Sequence, residues 1–424
     1  MQLRAQRFLA GGIQALVAVM PFHAFLVVWF GTLLGQQALW QAWKEVLILA
    51  MLVTLLAVPR RYPELLRIAR RPLNLVVLAY MILSLLVSLA GGGVTTAAFW
   101  FGVKTNLVFL GLFLLAQTVA SARLERCLSR IIIITAIIVS GFGFLQVVAL
   151  PPDWLANFGY GSDTIEPFRL VDPAVPAIRI LSTLGGPNQL GSFLLLPIGL
   201  LVWLILRRRQ WILIVPLALS LFTLFHSYAR AAWIGAAVAV AIVMLVSLPR
   251  KLALGLAAVG LLLGIVGGRF ALSQIDQRSQ LQFYLLHGQV LDGEVRGSDD
   301  GRLEALTQGL EEAKQHPLGE GLGSAGPASF RSDKALVTEN YYLQLAIEAG
   351  LTGLALFIGL SALLARELWR RRHSSDLAVP LLGALAGISL INLVLHGWTD
   401  SSTALVFWAT AGVAVGSSKL EIRN

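Results

Sequence analysis

Six ionisable residues stand in stretches of sequence that are otherwise strongly apolar. They are Lys104, Arg179, Arg230, Glu339, Glu348 and Asp400. An arginine guanidinium stays charged and can bind two phosphate oxygens at once, and a carboxylate can act as a general base. Charges at membrane depth are costly and usually face a cavity or a partner. If the surrounding sequence lies in a membrane, these residues are candidates for chemistry on an anionic substrate.

The composition places the chain in a membrane. Of 424 residues, 57% are hydrophobic and 13% are charged, whereas soluble domains average about 45–50% apolar and about 25% charged residues. The single cysteine, Cys127, excludes an intramolecular disulfide framework and a cysteine-rich metal site. We expect an integral membrane protein.

About twelve stretches are long and apolar enough to cross a bilayer as helices. They lie at 11–33, 43–58, 73–90, 100–119, 130–150, 189–206, 210–225, 231–248, 251–268, 340–365, 378–396 and 403–418. The pattern predicts an all-α polytopic membrane protein. The first stretch is too long for the apolar core of a signal peptide, so we expect it to remain in the mature chain.

Charge predicts the orientation. When the connecting segments alternate between two sides, one side collects 21 of the 33 lysines and arginines and five of the 23 acids. Cytoplasmic segments carry the excess of lysine and arginine, so both termini and Cys127 are predicted to be cytoplasmic. The net charge of +10 then reports orientation and gives no reason to expect a nucleic-acid partner.

The same assignment divides the chain into five parts. Helices 1–5 occupy 1–150 and helices 6–9 occupy 189–268, while 339–424 holds helices 10–12. Two long segments, 151–188 and 269–338, fall on the non-cytoplasmic side. The second is predicted to form a largely helical cap, with an amphipathic helix from Arg302 to Gln315 whose Leu303, Leu306, Leu310 and Ala313 share one face.

Two short segments surround the candidate arginines. Gly185-Gly186-Pro187 breaks the chain just before the sixth span, where Asn188 is a candidate helix N-cap. A helix N-terminus near Arg179 would suit an anion. Between the seventh and eighth spans, Arg230 follows His226 and Tyr228 in a connection of a few residues, and the positive-inside rule does not account for it.

The tenth span begins with polar residues. Glu339 and Asn340 precede it, and Glu348, Gly350 and Gly353 follow inside the helix. Glu339 could simply complement the helix dipole, and Glu348 could be a buried structural carboxylate. Upstream, the glycines between Gln315 and Gly323 form an adaptable loop that lacks a P-loop pattern.

Together these segments resemble the superfamily of bacterial O-antigen ligases and polysaccharide polymerases. The ligase motif is His, then Asn, Ser or Gln, then nine residues, then GxxG. Here Glu339-Asn340 is followed by 341–349 and by Gly350-Leu351-Thr352-Gly353, so the spacing fits and Glu339 stands in place of the histidine. The segments around Arg179, Arg230 and Arg302 also look like family patterns, and the resemblance covers roughly 170–355.

The resemblance implies a GT-C-like membrane glycosyltransferase in the bacterial inner membrane. Its active site would face the periplasm, and transfer would invert the anomeric carbon without a metal. The donor would be an undecaprenyl-diphosphate-linked glycan, and the acceptor a second lipid-linked glycan or lipid A-core. Glu339, Arg179 and Arg230 would be catalytic, and the substrate would be bound by Asn340, Asn188, Arg302, Lys104, His226 and Tyr228.

The change from histidine to Glu339 favours polymerisation of repeat units, with ligation onto lipid A-core as the alternative. A protein O-oligosaccharyltransferase is less favoured because the predicted cap is compact. A twelve-span transporter or flippase is less favoured because both long segments fall outside, and the connection between spans six and seven is only Arg207-Arg208-Arg209-Gln210. Polymerisation and ligation would each place the protein in the biosynthesis of lipopolysaccharide or another surface polysaccharide.

Overall fold

The computed structural model describes residues 2–59, 62–172, 175–252, 255, 288–291 and 294–417. Of residues 2, 172, 175–177, 288–291, 294–300 and 302 it describes the backbone alone. Within these ranges the protein is helical apart from two small antiparallel hairpins.

The N-terminal part of the chain forms eight helices. They are α1 Gln2–Val19, α2 His23–Leu34, α3 Gln37–Leu56, α4 Tyr62–Ala69, α5 Pro72–Gly91, α6 Thr96–Asn106, α7 Val108–Gln117 and α8 Ala122–Val148. A short 3-10 turn containing Pro21 joins α1 to α2, so the two read as one interrupted span.

Among the described residues after α8, seven more α-helices have defined bounds. They are α9 Pro187–Arg208, α10 Ile214–His226, α11 Arg230–Ser247, α12 Ser298–Gln315, α13 Tyr341–Arg370, α14 Ala378–Ile391 and α15 Ser401–Gly416. The hairpins pair β1 Arg169–Asp172 with β2 Val175–Arg179, and β3 Gly288–Leu291 with β4 Glu294–Gly297.

The prediction of a polytopic all-α membrane protein is confirmed. Among the described residues, eight helical segments are long and apolar enough to span a bilayer, and three apolar helices of 10–17 residues accompany them. These eleven correspond to eleven of the twelve predicted spans. Most of the remaining one, 251–268, lies outside the described residues. The predicted span 378–396 is too long, because α14 ends at Ile391 and the chain then turns.

Helix α9 lies at the centre of the bundle. Nearly all of its side chains are buried, whereas the flanking spans keep an exposed apolar face, as expected where lipid replaces protein. It packs against α8, α10, α11 and α14. Small residues permit the closest approach: a Cβ added to Gly235 of α11 would lie 3.0 Å from the carbonyl oxygen of Gly387 in α14.

The long segment 151–188 folds back onto the bundle. A 3-10 helix, Trp154–Phe158, places the Phe158 ring 5.1 Å from Phe25 and 5.5 Å from Trp29 of α2. The chain then forms the β1–β2 hairpin, in which Arg169 pairs with Arg179. This path delivers Arg179 to the beginning of α9.

The predicted amphipathic helix of the cap is present as α12. Of its predicted apolar face only Ala313 is buried, while Leu303, Leu306 and Leu310 are exposed. Helix α12 packs against α13.

Candidate functional site

Arg179 joins the end of the β1–β2 hairpin to two other elements. Its Nη2 donates to Asn188 Oδ1 at 2.9 Å, and its Nε donates to the backbone carbonyl of Ser227 at 3.1 Å. The next residue, Ile180, donates its N–H to the His226 carbonyl at 3.2 Å. The end of the hairpin, the start of α9 and the segment at Ser227 therefore meet at this guanidinium.

The sequence suggested Asn188 as the N-cap of α9, but Asn188 does not cap this helix. The N-cap position is Gly186, with Pro187 at the first helical position. Proline suits that position because it lacks the N–H that would be unsatisfied there and its φ is already helical. The helix therefore begins two residues earlier, and the Asn188 amide oxygen accepts a hydrogen bond from Arg179.

The Arg230 segment adjoins Arg179 through the Ser227 carbonyl. Tyr228 has a left-handed backbone, with φ of 49°, and the chain turns sharply into α11, which begins at Arg230. A non-glycine residue in this conformation stores strain and is often found at functional sites. Arg230 follows Ser227 by three residues in the sequence, and the Ser227 carbonyl accepts a hydrogen bond from Arg179.

His226 sits among aromatic rings beside that turn. Its Nδ1 lies 3.0 Å from the Phe222 carbonyl, its ring centre is 4.2 Å from that of Phe222, and it approaches Tyr228 edge-on at 6.3 Å. Tyr228 also packs near Phe225 and Trp233. These contacts support the turn that carries Arg230; a direct contact of His226 with substrate remains a prediction.

Glu339 and Asn340 have different positions and contacts at the start of α13. Asn340 Oδ1 accepts from the N–H groups of Tyr342 and Leu343 at 2.9 and 3.0 Å, and its Nδ2 donates to the Leu393 carbonyl at 3.0 Å. The N-cap is therefore Asn340, and both its amide oxygen and its amide nitrogen form hydrogen bonds. Glu339 precedes the cap with φ of 49°, so its carboxylate is not the cap and remains half-buried.

A cavity of about 390 Å³ brings Glu339 and Asn188 together. We call it the Glu339 cavity. Its walls come from α2, α6, the start of α9, the segment before α13 and the segment between α14 and α15. Polar side chains lining it are His23, Thr105, Asn188, Gln189, Ser192, Glu339, His396, Thr399, Asp400, Ser401 and Ser402.

His23 and His396 were missed by sequence reasoning. Neither stands in a motif, and each reaches the cavity only through the packing of its helix end. The His396 Nε2 lies 3.3 Å from Thr338 Oγ1, one residue before Glu339. Burial lowers the pKa of His396 to about 4, so its imidazole is neutral near pH 7.

Asp400, one of the six isolated charges in the sequence, lies in the same cavity. Its carboxylate caps α15 by accepting from the Thr403 N–H at 2.8 Å. Burial raises the pKa of Asp400. The cavity thus holds two carboxylates, Glu339 and Asp400, in different surroundings.

Lys104 lies beside the cavity and not in its wall. Its ammonium pairs with Glu45 at 3.2 Å, and Glu45 also pairs with Lys44 at 3.3 Å. Lys44 in turn contacts His23 Nε2 at 2.8 Å. Lys104 is therefore connected to the cavity through Glu45, Lys44 and His23, and its role in substrate binding stays a prediction. The side chain of Arg302 lies outside the described residues.

Glu348 is a structural carboxylate in this arrangement. It is fully buried and accepts from the Gly323 N–H and from Asn106 Nδ2, both at 2.9 Å. Below it, α13 is interrupted at Gly350, where φ is 73° and ψ is 175°. The glycine-rich loop 317–323 fills the interruption: the Glu320 and Gly321 N–H groups donate to the Ile347 and Glu348 carbonyls at 2.8 and 3.0 Å.

One group of side chains in the described residues could offer ligands to a cation. Glu312, His316 and Glu320 each place a donor atom within 4.8 Å of the others. Lys334 already occupies this position, with its ammonium 2.7 Å from Glu312. The group lies on the cap side of the glycine-rich loop and contributes nothing to the Glu339 cavity.

Comparison with known proteins gives two matches to parts of the chain. A family model described as O-Antigen ligase matches residues 215–358, which include Arg230, Glu339 and Gly350. This segment of the chain is thus similar to the O-antigen ligase family. A protein of Salmonella muenchen named O-antigen polymerase is 29% identical over 137 residues.

The polymerase match is partial on both sides. It covers 30% of this chain and 34% of the Salmonella protein, so the chain spans about a third of the curated relative that it matches. The superfamily predicted from the motif spacing is supported by both matches. Arg179 and Asn188 precede the segment matched by the ligase model, and only the fold brings them to its Glu339.

Proposed function

We propose that the protein is a glycosyltransferase that polymerises undecaprenyl-diphosphate-linked repeat units at the periplasmic face of the bacterial inner membrane. The observation that carries the proposal is the Glu339 cavity, which is lined both by the Glu339 carboxylate and by the Asn188 amide that binds Arg179. Its volume of about 390 Å³ falls in the range of small-molecule sites, about 300–1,000 Å³.

In the proposed reaction, a hydroxyl of the acceptor sugar attacks the anomeric carbon of the donor. Glu339 takes the proton of that hydroxyl, the new glycosidic bond forms, and the bond from carbon to the diphosphate oxygen breaks. The electron pair leaves with undecaprenyl diphosphate. Attack from the opposite face inverts the anomeric carbon.

The leaving diphosphate gains charge as the bond breaks. Fixed positive groups that are already oriented stabilise such charge at little further cost. Arg179 is held by two hydrogen bonds, and Arg230 follows on the adjoining turn. These two guanidiniums support a reaction that proceeds without a metal ion.

Two observations bear on the acceptor. Glu339 replaces the histidine of the ligase motif, and the Salmonella relative is named a polymerase; both favour a second lipid-linked repeat unit. The description of the matched family favours ligation to lipid A-core, which is the second candidate.

The test uses purified protein with an undecaprenyl-diphosphate oligosaccharide as the only substrate. We expect a ladder of repeat units, and the Glu339→Gln variant should form it at least about a hundredfold more slowly because it lacks the base. The exposed Glu311→Gln serves as the matched control, with unchanged activity. Products that appear only when lipid A-core is added would establish a ligase instead.

A Glu339→Gln protein that makes full-length product would rule out Glu339 as the base. No glycan transfer with either acceptor would contradict the assignment as a glycosyltransferase and would revive the transporter alternative, which leaves the chain length of the glycan unchanged.

A further inference from the structure

A second cavity lies at the opposite end of the central helices. It has a volume of about 330 Å³ and forms where α8 begins, where α9 ends and where the chain follows α13. We call it the arginine cavity. Asn188 and Glu339 stand at the other ends of α9 and α13, and the 22 residues of α9 span about 33 Å at 1.5 Å per residue. The two cavities are therefore separate sites.

Four guanidiniums line the arginine cavity, from Arg126, Arg207, Arg208 and Arg372, and two carboxylates accompany them. Both carboxylates are already engaged. Asp376 binds Arg208 through two hydrogen bonds of 3.2 and 2.9 Å, and Glu125 accepts a hydrogen bond from the Ser375 hydroxyl.

The other three arginines lack a carboxylate partner. Within the part of the chain that the structure describes, Arg126, Arg207 and Arg372 form no ion pair. Two of them lie over indole rings: Arg207 is 5.5 Å from the centre of Trp203, and Arg372 is 4.6 Å from that of Trp369. A guanidinium over an aromatic face keeps N–H groups along its edge that can bind an anion.

We propose that the arginine cavity binds the phosphate group of an anionic membrane lipid. Three guanidiniums without a carboxylate partner favour an oxyanion, and arginine matches phosphate geometry in particular. The cavity lies at the ends of membrane-spanning helices, where indole side chains mark the bilayer interface. Basic pockets between helices at this level are suited to lipid headgroups. These arginines thus bind lipid in addition to setting orientation.

The test measures lipid binding to full-length protein in detergent by titration and native mass spectrometry. The probes are phosphatidylglycerol, phosphatidylcholine and inorganic phosphate. We expect phosphatidylglycerol to bind saturably and at least about tenfold more tightly than phosphatidylcholine. The triple variant Arg126→Gln/Arg207→Gln/Arg372→Gln should lose that preference.

The matched control is Arg67→Gln/Arg70→Gln/Arg123→Gln. It removes the same charge from exposed positions on the same predicted side of the membrane, and it should bind phosphatidylglycerol within about twofold of wild type. Arg372→Gln alone provides a milder variant if the triple variant does not fold, with an expected loss of at least about threefold.

Three results would overturn the proposal. One is equal binding of the two lipids to wild-type protein. The second is an equal loss of affinity in the cavity and control variants, which would show that overall charge attracts the lipid. The third is saturable binding of inorganic phosphate without a preference for phosphatidylglycerol, which would assign the cavity to a soluble anion.

Discussion

Arg179 donates hydrogen bonds from two different nitrogens to two different elements. One holds the Asn188 amide and the other holds the Ser227 carbonyl, so the guanidinium fixes the distance between the start of α9 and the Arg230 turn. A lysine could replace the charge and only one of these bonds, because its ammonium is a point donor on a flexible stem.

Arg179→Lys should therefore lower the polymerisation rate by roughly a hundredfold, the usual effect of removing one oriented donor from a charged transition state. The measurement is ladder formation by purified protein. Arg169→Lys is the matched control, because Arg169 is exposed and lies opposite Arg179 in the same hairpin. Equal losses from both variants would mean that the hairpin tolerates no change, and would leave Arg179 without a special role.

His396 makes stability depend on pH. Its pKa is lowered by burial from 6.5 to about 4, so between these values the unfolded chain binds a proton at His396 that the folded protein does not. Stability must then fall as the pH drops through this window.

Thermal unfolding in detergent at pH 7, 5.5 and 4.5 should show this fall. His396→Asn should reduce the slope, whereas the exposed His373→Asn should not. A slope that is the same in wild type and in His396→Asn would show that another group near the cavity, such as Asp400, controls the pH response.

At the level of elements, the break in α13 depends on one residue. Gly350 has φ of 73° and ψ of 175°, a region that is essentially restricted to glycine. A Cβ there would lie 2.6 Å from the carbonyl carbon and oxygen of Leu318. The glycine-rich loop could not remain seated against α13.

Gly350→Ala should destabilise the protein by about 1–3 kcal/mol, measured as a lower midpoint of thermal unfolding, and should reduce activity with it. Gly359→Ala, in the same helix, is the control, because a Cβ there meets nothing within 4 Å; it should be neutral or slightly stabilising. A Gly350→Ala protein as stable as Gly359→Ala would contradict the role of the break.

The membrane-spanning helices were predictable because long apolar stretches of sequence determine them. The spacing from Glu339 to Gly350 was recognisable in the sequence because both residues lie in or next to one helix. The break at Gly350 was not predictable, since apolar sequence continues through it. Neither was the convergence of His23, His396 and Asp400 on Glu339. These residues come from three separate parts of the chain, and only the packing of α2, α13 and α15 brings them together.

For the molecule as a whole, the predicted orientation in the membrane determines on which side each of the two cavities lies. A Cys127→Ser background removes the single cysteine and allows one exposed probe at a time. A membrane-impermeant thiol reagent should label Ser162→Cys in intact spheroplasts, and should label Gln210→Cys only after the membrane is opened. The reverse pattern would invert the assignment of sides and would place Glu339 in the cytoplasm.

The interruption of α13 also gives a physical meaning to the nine-residue spacing of the motif. The helical segment 341–349 connects the Asn340 cap to the seat of the glycine-rich loop, and nine residues correspond to about 13.5 Å of rise. Each residue also turns the helix by about 100°. Inserting or deleting one residue would rotate Glu339 away from the cavity while the loop stayed in place. The nine-residue spacing therefore sets both the distance of the carboxylate along the helix axis and its direction around that axis.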